Sequence, residues 1–400
     1  MSPHVFLVAG EESGDRLGAA LIPALRRAAQ GAIRFSGIGG AHMAEQGVVS
    51  PFPLGDLAIM GFAAIPAQLP KILRRIRETA DAVVAARPDV LVIIDSPEFT
   101  HRVARRVRAE APGIPIVDYV CPSVWAWRPG RARKMRGYVD HVLALLPFEP
   151  DVMRRLGGPP CTYVGHPLTE RAADLRPQTP EEAARRLADP PLLLVLPGSR
   201  SGEIKRMAGV FGDAVARVAK QAGPLEVVVP SVPRLAAAVG AAVAAWPVPA
   251  RIITDAAEKD AAFRTARAAL TKSGTSTLEL AVAGVPMAAA YKVPLLEAAV
   301  GRVLITAPSA ILANLVLGEN VVPEFLQGDC TAESLAGAVL PLLADTPERL
   351  RQIEAFKRLD RIMEIGRAAP SDQAAAIVLG SVAGINQPVA DPVAPGKPSA

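Results

Sequence analysis

An aspartate stands directly behind one of the most apolar stretches of the chain. Asp95 follows the run Val90–Ile94 and precedes Ser96. A carboxylate at the end of an apolar strand is partly desolvated, which raises its pKa toward values suited to taking a proton from a hydroxyl group. An aspartate in this place can also cap the next helix. We interpret Asp95 as a general base and keep helix capping as the alternative.

A second polar group follows the first apolar run, His4–Ala9. Two glycines bracket acidic and hydroxyl side chains in the sequence Gly-Glu-Glu-Ser-Gly-Asp at positions 10–15. Carboxylates repel phosphate and favour sugar hydroxyls or an amide, so Glu11 and Ser13 are candidate sugar contacts. Asp15 is a further candidate, with capping of the following helix as its alternative role.

Two loops in the second half have the composition of anion sites. Gly198, Ser199 and Arg200 follow the apolar run Leu192–Leu196 and lead toward a helix. Glycine lets the backbone turn closely, N–H groups can face an anion, and arginine can make forked bonds to phosphate. An ordinary strand-to-helix turn is the alternative. The motifs of ATP and NAD sites are absent, so neither cofactor is predicted.

The second loop reads Lys-Ser-Gly-Thr-Ser-Thr-Leu-Glu at positions 272–279. Ser273 or Thr275, on either side of Gly274, can cap the following helix, whose N-terminus attracts anions. Glu279 lies about one helical turn further on, where a carboxylate can accept bonds from both ribose hydroxyls. A capped helix with a solvated glutamate is the alternative. Two such loops in one domain favour a nucleoside diphosphate.

Three other positions are candidates with structural alternatives. Asn314 can contact a pyrophosphate or a sugar, or satisfy a turn. His166 can take part in proton transfer, or pack near the domain junction. Trp127 ends the sequence PSVWAW and precedes a group of cations that begins at Arg128. Arginine and lysine favour phosphate and aromatic faces; a core loop followed by a solvated basic helix is the alternative.

The segment 57–66 is strongly apolar and contains Met60 and Phe62. The cations Lys71, Arg74, Arg75 and Arg77 follow it. This combination is typical either of a buried segment beside a solvated helix or of shallow insertion at an anionic bilayer. Both readings stay open at this point.

Continuous runs of Val, Ile and Leu alternate with helical patterns along the chain. The predicted strands are His4–Ala9, Val90–Ile94, Ile114–Tyr119, His141–Leu145, Leu192–Leu196, Leu225–Val229, Arg251–Thr254, Ala268–Lys272 and Pro286–Tyr291. Such runs indicate parallel sheets covered by helices on both faces. Ligands of these sheets bind where strand ends meet helix starts, which is where the polar candidates lie.

The pattern predicts an α/β protein of two doubly wound, Rossmann-like domains that face each other across a cleft. We assign residues 1–168 to the first domain, 169–190 to a linker and 191–365 to the second domain. Residues 366–385 are predicted to form a helix that packs back on the first domain. The Pro-, Ala- and Ser-rich residues 386–400 are predicted to be a disordered tail.

Composition restricts the partners. Half of the 400 residues are hydrophobic, and the net charge of +5 favours anionic ligands. No nucleic-acid-binding motif is visible, so nucleic acid is not predicted as a partner. The three cysteines fit no metal or disulfide spacing. No apolar run reaches the length of a membrane span and no signal peptide precedes the first strand, so we expect a cytoplasmic protein.

Taken together, the motifs resemble those of lipid-A-disaccharide synthase, a family of bacterial glycosyltransferases. The shared phrases are AGEESGD, GIGG, MGF, IDSPEF, PSVWAW, LPFE, VGHPL, LPGSR, SGTSTLE and NLVLGENVVPEFLQ. They occur in the family's order and extend over about residues 8–330.

This resemblance implies a GT-B enzyme of lipid A biosynthesis. Such an enzyme joins UDP-2,3-diacylglucosamine to 2,3-diacylglucosamine 1-phosphate (lipid X) by a β-1,6 linkage and releases UDP, with inversion at the anomeric carbon. The resemblance implies Asp95 as the base, Arg200 on the diphosphate and Glu279 on the ribose, with Asn314 completing the nucleotide side. Neither metal nor cofactor is expected, because cations and helix ends can stabilise the leaving group.

The candidate contacts therefore form two sets. For the UDP-sugar they are Gly198, Ser199, Arg200, Ser273, Gly274, Thr275, Glu279 and Asn314. For the acceptor or sugar they are Glu11, Ser13, Asp15, Met60, Phe62, Trp127 and His166. The partners are the two lipid substrates and the anionic surface of the inner membrane; the oligomeric state stays open, a homodimer included.

Two positions depart from the family pattern, and three other functions remain as alternatives. Cys121 stands where serine is frequent, and Ile-Leu-Ala-Asn at 311–314 replaces the more usual Leu-Pro-Asn, which leaves the loop geometry around Asn314 open. The alternatives are a UDP-N-acetylglucosamine 2-epimerase, a peripheral membrane protein that binds a nucleotide sugar, and a muramyl-type lipid-linked N-acetylglucosamine transferase. The last of these lacks the PSVWAW phrase.

Overall fold

The chain divides into two compact units. A computed structural model describes residues 2–57, 65–294, 297, 298, 301, 304, 305 and 307–382. The first unit is Met1–Gly165 with Ala368–Ala400, and the second is His166–Arg367. The predictions for Met60, Phe62 and the tail 386–400 fall outside the described residues. In the described part of the chain, no helix combines the length and apolar character needed to cross a bilayer.

The first unit is built on one parallel sheet. Its strands are β1 (His4–Ala9), β2 (Arg34–Ile38), β3 (Val90–Ile94), β4 (Ile116–Tyr119), β5 (His141–Ala144) and β6 (Cys161–Tyr163). They lie in the order β2-β1-β3-β4-β5-β6. The helices between them are α1 (Glu12–Ala28), α2 (Ala41–Glu45), α3 (Ile65–Ala86), α4 (Thr100–Glu110), α5 (Gly130–Met135) and α6 (Glu149–Arg155).

The central strands of this sheet are apolar because both of their faces are buried. Phe6 and Val8 of β1 pack into one core cluster, whereas Val5 and Leu7 pack into the cluster on the other face. All five residues of β3 are fully buried. Side chains alternate between the faces of a strand, so a strand covered on both sides reads as one unbroken apolar run.

The second unit repeats this architecture. Its strands are β7 (Leu192–Leu196), β8 (Glu226–Pro230), β9 (Ala250–Ile253), β10 (Ala268–Lys272), β11 (Met287–Tyr291) and β12 (Glu324–Leu326), in the order β12-β11-β10-β7-β8-β9. Its helices are α7 (Ala172–Leu175), α8 (Pro180–Leu187), α9 (Ser201–Ala222), α10 (Ala236–Val243), α11 (Ala256–Thr265), α12 (Thr275–Val282), α13 (Leu312–Leu317), α14 (Ala332–Val339) and α15 (Pro347–Ile362).

A last helix, α16 (Pro370–Gly380), belongs to the first unit. Its residues Ala374 and Val378 share a core cluster with Leu21 of α1. Arg27 and Asp372 join the same two helices by an ion pair of 2.6 Å. The last described helix therefore packs on the unit that contains the N-terminus.

Residues 169–190 differ from the predicted linker. They carry α7 and α8 and belong to the second unit. The guanidinium of Arg186 in α8 donates hydrogen bonds to the backbone carbonyls of Phe263, Arg264, Ala283 and Gly284. Burial lowers the pKa of Arg186 to about 10. Arginine can satisfy several carbonyls at once, so a polar, strand-free segment is nevertheless held firmly.

In both sheets the strand order reverses beside the first strand. In the first sheet β1 lies between β2 and β3, and in the second sheet β7 lies between β8 and β10. The connections that leave the two central strands therefore diverge to opposite sides. A crevice opens there at the carboxyl ends of the strands, where ligands of doubly wound sheets bind.

The tryptophan-rich loop after β4 rests on a buried glutamate. Trp125 packs edge-to-face on Phe148 with ring centroids 5.5 Å apart, and its indole N–H donates to Glu149 Oε1 at 3.1 Å. The Leu146 N–H donates to Glu149 Oε2 at 3.0 Å. Burial, opposed by these hydrogen bonds, raises the pKa of Glu149 to about 7.

We expect Glu149→Gln to change the pH dependence of stability. The pKa of Glu149 rises from 4.5 to about 7 on folding, so between these values the folded chain holds a proton that the unfolded chain has released. The free energy of unfolding therefore falls as the pH rises through this window, by about 3 kcal/mol from this group. Chemical denaturation of the variant from pH 4.5 to 7.5 should lack that fall.

The matched control is Glu354→Gln, because the Glu354 side chain is exposed on α15. It should keep the wild-type pH slope. Other groups contribute equally to all three proteins, so the difference between slopes isolates Glu149. Identical slopes for wild type and Glu149→Gln would contradict the raised pKa.

Candidate functional site

Asp95 leaves β3 in a strained backbone conformation. Its φ is +55°, and that of Ser96 is +47°. Two consecutive non-glycine residues in the left-handed region are uncommon, and such strain is concentrated at functional sites. The Asp95 N–H donates to the Tyr119 carbonyl at 3.0 Å, and the Thr100 hydroxyl donates to the Asp95 carbonyl at 2.6 Å. These bonds hold the turn against the strain.

The carboxylate of Asp95 faces polar groups of the neighbouring loop. Its Oδ2 accepts a hydrogen bond from the Ser13 hydroxyl at 2.8 Å, and its Oδ1 accepts the Ser96 N–H at 2.7 Å. The N-cap of α4 is Phe99. Asp95 therefore does not take the capping role that the sequence left open as an alternative.

Glu11, Ser13, Asp95 and Ser96 form one cluster at the point where the strand order of the first sheet reverses. The Ser96 hydroxyl donates to Glu11 Oε1 at 3.0 Å. A Cβ on Gly10 would lie 2.4 Å from Ser96 Cβ, so this position requires glycine for the close approach of the two loops. The structure thus brings Glu11, Ser13 and Asp95 together.

Asp15 has a structural role instead. Its side chain is fully buried; Oδ1 accepts the N–H groups of Gly40 and Met43, and Oδ2 accepts that of His42. The carboxylate therefore caps α2 and fixes the loop after β2. This corrects both sequence-based expectations, because Asp15 neither faces a sugar nor caps its own helix. An isolated sequence does not show which distant N–H groups a carboxylate will meet.

Of the remaining acceptor-side candidates, the structure describes Trp127 and His166. Trp127 is half-buried, with the Arg128 guanidinium 4.2 Å from its ring centroid. His166 begins the second unit, where its Nδ1 accepts the Leu168 N–H at 3.1 Å. Burial lowers the pKa of His166 to about 4, so its imidazole is neutral at pH 7. Met60 and Phe62 lie outside the described residues.

A cavity of about 390 Å³ occupies the corresponding place in the second unit. Its lining comes from the loops after β7, β8 and β10 and from α11. The lining residues are Leu196, Gly198, Ser199, Arg200, Pro230, Ser231, Val232, Lys259, Lys272, Gly274, Thr275 and Ser276. Three of these side chains are cationic, so the cavity suits an anion.

Glu203 organises the loop after β7. It is buried, its Oε2 accepts the Ser199 N–H at 3.0 Å, and its Oε1 lies 3.1 Å from Lys272 Nζ and 3.4 Å from Arg200 Nη1. Gly198 has φ +131°, and a Cβ there would meet Glu203 Cβ at 2.6 Å. Glu203 thus uses one N–H that the sequence predicted for an anion, while it holds two cations beside the cavity.

The loop after β10 also differs in detail from the prediction. Neither Ser273 nor Thr275 caps α12, whose N-cap is Gly274. The Ser273 hydroxyl instead donates to the Ala310 carbonyl at 2.7 Å. Ser273 is buried, and its hydroxyl is satisfied by this carbonyl rather than by the end of the helix.

Two further candidates of the second unit have protein partners. Glu279 Oε2 pairs with Lys259 Nζ at 3.1 Å, and Lys259 is one of the residues that line the cavity. Asn314 is buried; its Oδ1 accepts the N–H groups of Val321 and Val322, and its Nδ2 donates to the Val322 carbonyl and lies 3.4 Å from Ser309 Oγ. The Asn314 amide therefore supports the loop, which matches the turn role left open in the sequence.

Sequence reasoning missed several cavity residues. Lys259, Ser231 and Val232 line the cavity outside the two motifs, and Lys272, which opens the second motif, is not among the predicted contacts. Ser231 and Val232 follow directly after β8, a predicted strand, so the rule that ligands meet strand ends could have found them. Lys259 lies inside a helix, and the sequence carries no local signal for its position.

The two sites differ in charge and therefore in chemistry. The first unit offers hydroxyls and carboxylates, which suit a polyol and proton removal. The second offers guanidinium and ammonium groups with exposed backbone, which suit a diphosphate. Within residues 2–57, 65–294 and 307–382, we find no group of three His, Cys, Asp or Glu side chains placed to hold a metal ion.

Sequence comparisons identify the family of the chain. A profile of the family described as lipid-A-disaccharide synthetase matches residues 5–378. The chain is 61% identical over 378 residues to lipid-A-disaccharide synthase of Nitrobacter hamburgensis, which covers 94% of this chain and 95% of the relative. It is 44% identical over 379 residues to the protein of that name from Rhodospirillum centenum, with 94% of each chain covered.

Solved structures share the fold at low identity. MurG of Acinetobacter baumannii matches with a TM-score of 0.58 at 16% identity, covering 94% of this chain and 99% of that one. UDP-GlcNAc 2-epimerase of Methanocaldococcus jannaschii, solved with UDP-GlcNAc and UDP, matches with a TM-score of 0.57 at 15% identity over the same shares. The predicted class, two Rossmann-like domains of the GT-B type, is confirmed.

Proposed function

Because the chain belongs to the lipid-A-disaccharide synthase family, we propose that it joins UDP-2,3-diacylglucosamine to 2,3-diacylglucosamine 1-phosphate. The product would be a β-1,6-linked disaccharide 1-phosphate, with UDP released. Family membership itself makes the chain a hexosyltransferase of lipid A biosynthesis. The family predicted from the motifs is thereby confirmed, whereas the substrates, linkage and stereochemistry are proposals.

The donor's nucleotide fits the cavity of the second unit. The diphosphate would lie against Arg200, whose side chain is 77% exposed and free to reach a ligand, and against Lys272. The Glu279–Lys259 pair would meet the ribose, with Glu279 accepting its hydroxyls and Lys259 beside the phosphates. Fixed cations can stabilise the charge that develops on UDP as it leaves.

The acceptor hydroxyl would lose its proton to Asp95. Asp95 is half-buried, and Ser13 and Ser96 hold its two oxygens in fixed directions. The oxygen of the acceptor would attack the anomeric carbon while the bond to UDP breaks, so one displacement inverts that carbon. Only one base is needed and no sugar is linked to the protein. The cluster around Asp95 is the observation that carries this proposal.

We expect Asp95→Asn to slow transfer strongly without loss of the nucleotide site. Asparagine preserves the size of the side chain but cannot accept a proton at neutral pH. UDP release that depends on the acceptor should fall by about 10²- to 10⁴-fold, the usual contribution of a general base. The assay supplies UDP-2,3-diacylglucosamine with and without 2,3-diacylglucosamine 1-phosphate in detergent, and calorimetry measures UDP affinity, which should not change.

Asp151→Asn is the control, because Asp151 is exposed on α6 of the same unit. It should behave like the wild type. Full activity of Asp95→Asn would show that another group takes the proton. If wild-type turnover did not need the acceptor, an epimerase would be favoured; if there were no turnover, a nucleotide-sugar-binding protein would be favoured.

Arg200→Gln tests the donor site. Loss of a charged, forked contact to a diphosphate should raise the Kd for UDP by about 10- to 100-fold. Arg217→Gln removes an equal charge from an exposed position on α9, the helix that Arg200 precedes, and should leave the Kd unchanged. Calorimetric titration with UDP compares the three proteins. Equal affinities for all of them would place the diphosphate elsewhere.

We also propose peripheral contact with the anionic inner membrane from its cytoplasmic side. Leu69 and Leu73 are exposed one turn apart on α3. Beside them a groove between α3 and α4 is lined by Leu73, Ile76, Arg77, Arg102, Arg105 and Arg106. Of the cations predicted for this role, Lys71 and Arg75 are paired with Asp56 and Arg74 with Glu78, whereas Arg77 lines the groove. Apolar side chains beside arginines suit a bilayer of anionic lipids.

The double variant Leu69→Ser, Leu73→Ser should bind anionic vesicles more weakly. Removing two inserted side chains is expected to lower the partition coefficient by about tenfold. Sedimentation with phosphatidylglycerol-containing vesicles measures this. Leu350→Ser changes an exposed leucine of the second unit and serves as the control. Equal binding by the double variant and the wild type would rule out this face.

A further inference from the structure

Three arginines converge on one exposed glutamate beside the Asp95 cluster. Glu98 lies in the turn that the Phe99 N–H closes on the Ser96 carbonyl at 2.9 Å. Arg131 Nη2 donates a hydrogen bond to Glu98 Oε1, and Arg128 Nη1 lies 3.3 Å from the same oxygen. Arg102 Nη2 lies 3.9 Å from Oε2. The glutamate side chain is 60% exposed, so this arrangement faces solvent.

This cluster carries an excess of positive charge. One carboxylate faces three guanidinium groups, which leaves a surplus of two charges. Partial burial acts to raise the pKa of Glu98, but the hydrogen bond and charge of Arg131, and the charges of Arg128 and Arg102, outweigh it and lower that pKa. The three cations therefore create a potential that strongly favours an anion. A phosphate monoester near pH 7 carries a charge of about −1.5 to −2, which matches the surplus.

The guanidinium groups of Arg128 and Arg131 have fixed orientations. Arg128 has a left-handed backbone, with φ +51°, and its guanidinium stacks 4.2 Å from the ring centroid of Trp127. Arg131 lies 5.7 Å from the same ring, and its side chain is only 14% exposed. Stacked guanidinium groups lose less freedom when they bind, and their fork geometry matches the oxygens of carboxylate or phosphate.

We propose that Arg128 and Arg131, assisted by Arg102, bind the 1-phosphate of the acceptor. In the absence of acceptor, the Glu98 carboxylate orients these arginines. When the acceptor binds, its phosphate replaces the carboxylate as their partner. This inference rests on the proposed function, since it concerns the acceptor named there. In the acceptor's sugar ring, C1, which carries the phosphate, and C5, which carries the 6-hydroxymethyl group, both flank the ring oxygen. Anchoring the phosphate one turn beyond Asp95 would direct that hydroxyl to the base.

The test compares acceptors with and without the phosphate. Kinetics in nonionic detergent use 2,3-diacylglucosamine 1-phosphate and the same diacylglucosamine with a 1-O-methyl group. The wild type should prefer the phosphorylated acceptor. In Arg128→Gln, Arg131→Gln that preference, as a ratio of kcat/KM values, should fall by about 10- to 100-fold, while the KM for the UDP-sugar stays unchanged. Arg133→Gln, an exposed arginine of the same helix α5, should retain the preference.

A second variant separates binding from folding. Glu98→Gln removes the competing anion but leaves all three arginines, so it should keep or increase the preference for the phosphorylated acceptor. If the cluster only stabilised the loop, Glu98→Gln and the double arginine variant would instead lower activity toward both acceptors alike. That result would overturn the inference, as would a double variant that keeps the wild-type preference.

The outcomes also separate this inference from the others. If the wild type released no UDP with either acceptor, the proposed function would fail, and this inference with it. If the wild type were active and the double arginine variant kept its preference, only the phosphate site would fail. Vesicle binding distinguishes a lipid surface from the acceptor. The double variant should bind phosphatidylglycerol vesicles as Arg133→Gln does, and a selective loss there would assign the arginines to the membrane.

Discussion

The reversal of strand order beside β1 and β7 is the constraint on which the functional sites depend. Parallel strands end at one edge of each sheet, and the connections diverge only where the order reverses. In the first unit, this brings the loops after β1 and β3 together, so that Ser13 reaches Asp95. In the second unit, it brings the loops after β7 and β10 together, so that Glu203 reaches Lys272.

The first site is held by hydrogen bonds rather than by helix geometry. Asp95 and Ser96 have left-handed backbones, and four hydrogen bonds from Ser13, Ser96, Thr100 and the Asp95 N–H compensate for the strain. Asp15 adds support by accepting the N–H groups at the start of α2. Since each bond fixes a direction, the carboxylate is oriented in the absence of a ligand, as the proposed proton transfer would require.

The second site is held by charge. Glu203 is buried beside Arg200 and Lys272, and a buried carboxylate is tolerated only with such partners. Together they leave a positive balance at the cavity, as the Glu98 cluster does in the first unit. Both clusters use one glutamate to position several cations. An arrangement of this kind keeps cations ordered in the absence of ligand without cancelling their charge.

The sequence by itself determined the family, the two-domain α/β class and the central strands, because buried parallel strands must be continuously apolar and loop motifs are local. It missed β2, β6 and β12, which lie at sheet edges and are at least partly exposed, so their composition carries little signal. It located the loops of the site but not the partners of Asp15, Ser273 and Asn314. The partners of Asp15 and Ser273 come from distant segments, and those of Asn314 come from the loop that follows it. Only the tertiary structure decides which N–H or carbonyl lies within reach of a given side chain. For the same reason, Lys259 and the convergence of three arginines on Glu98 could be found only in the folded chain.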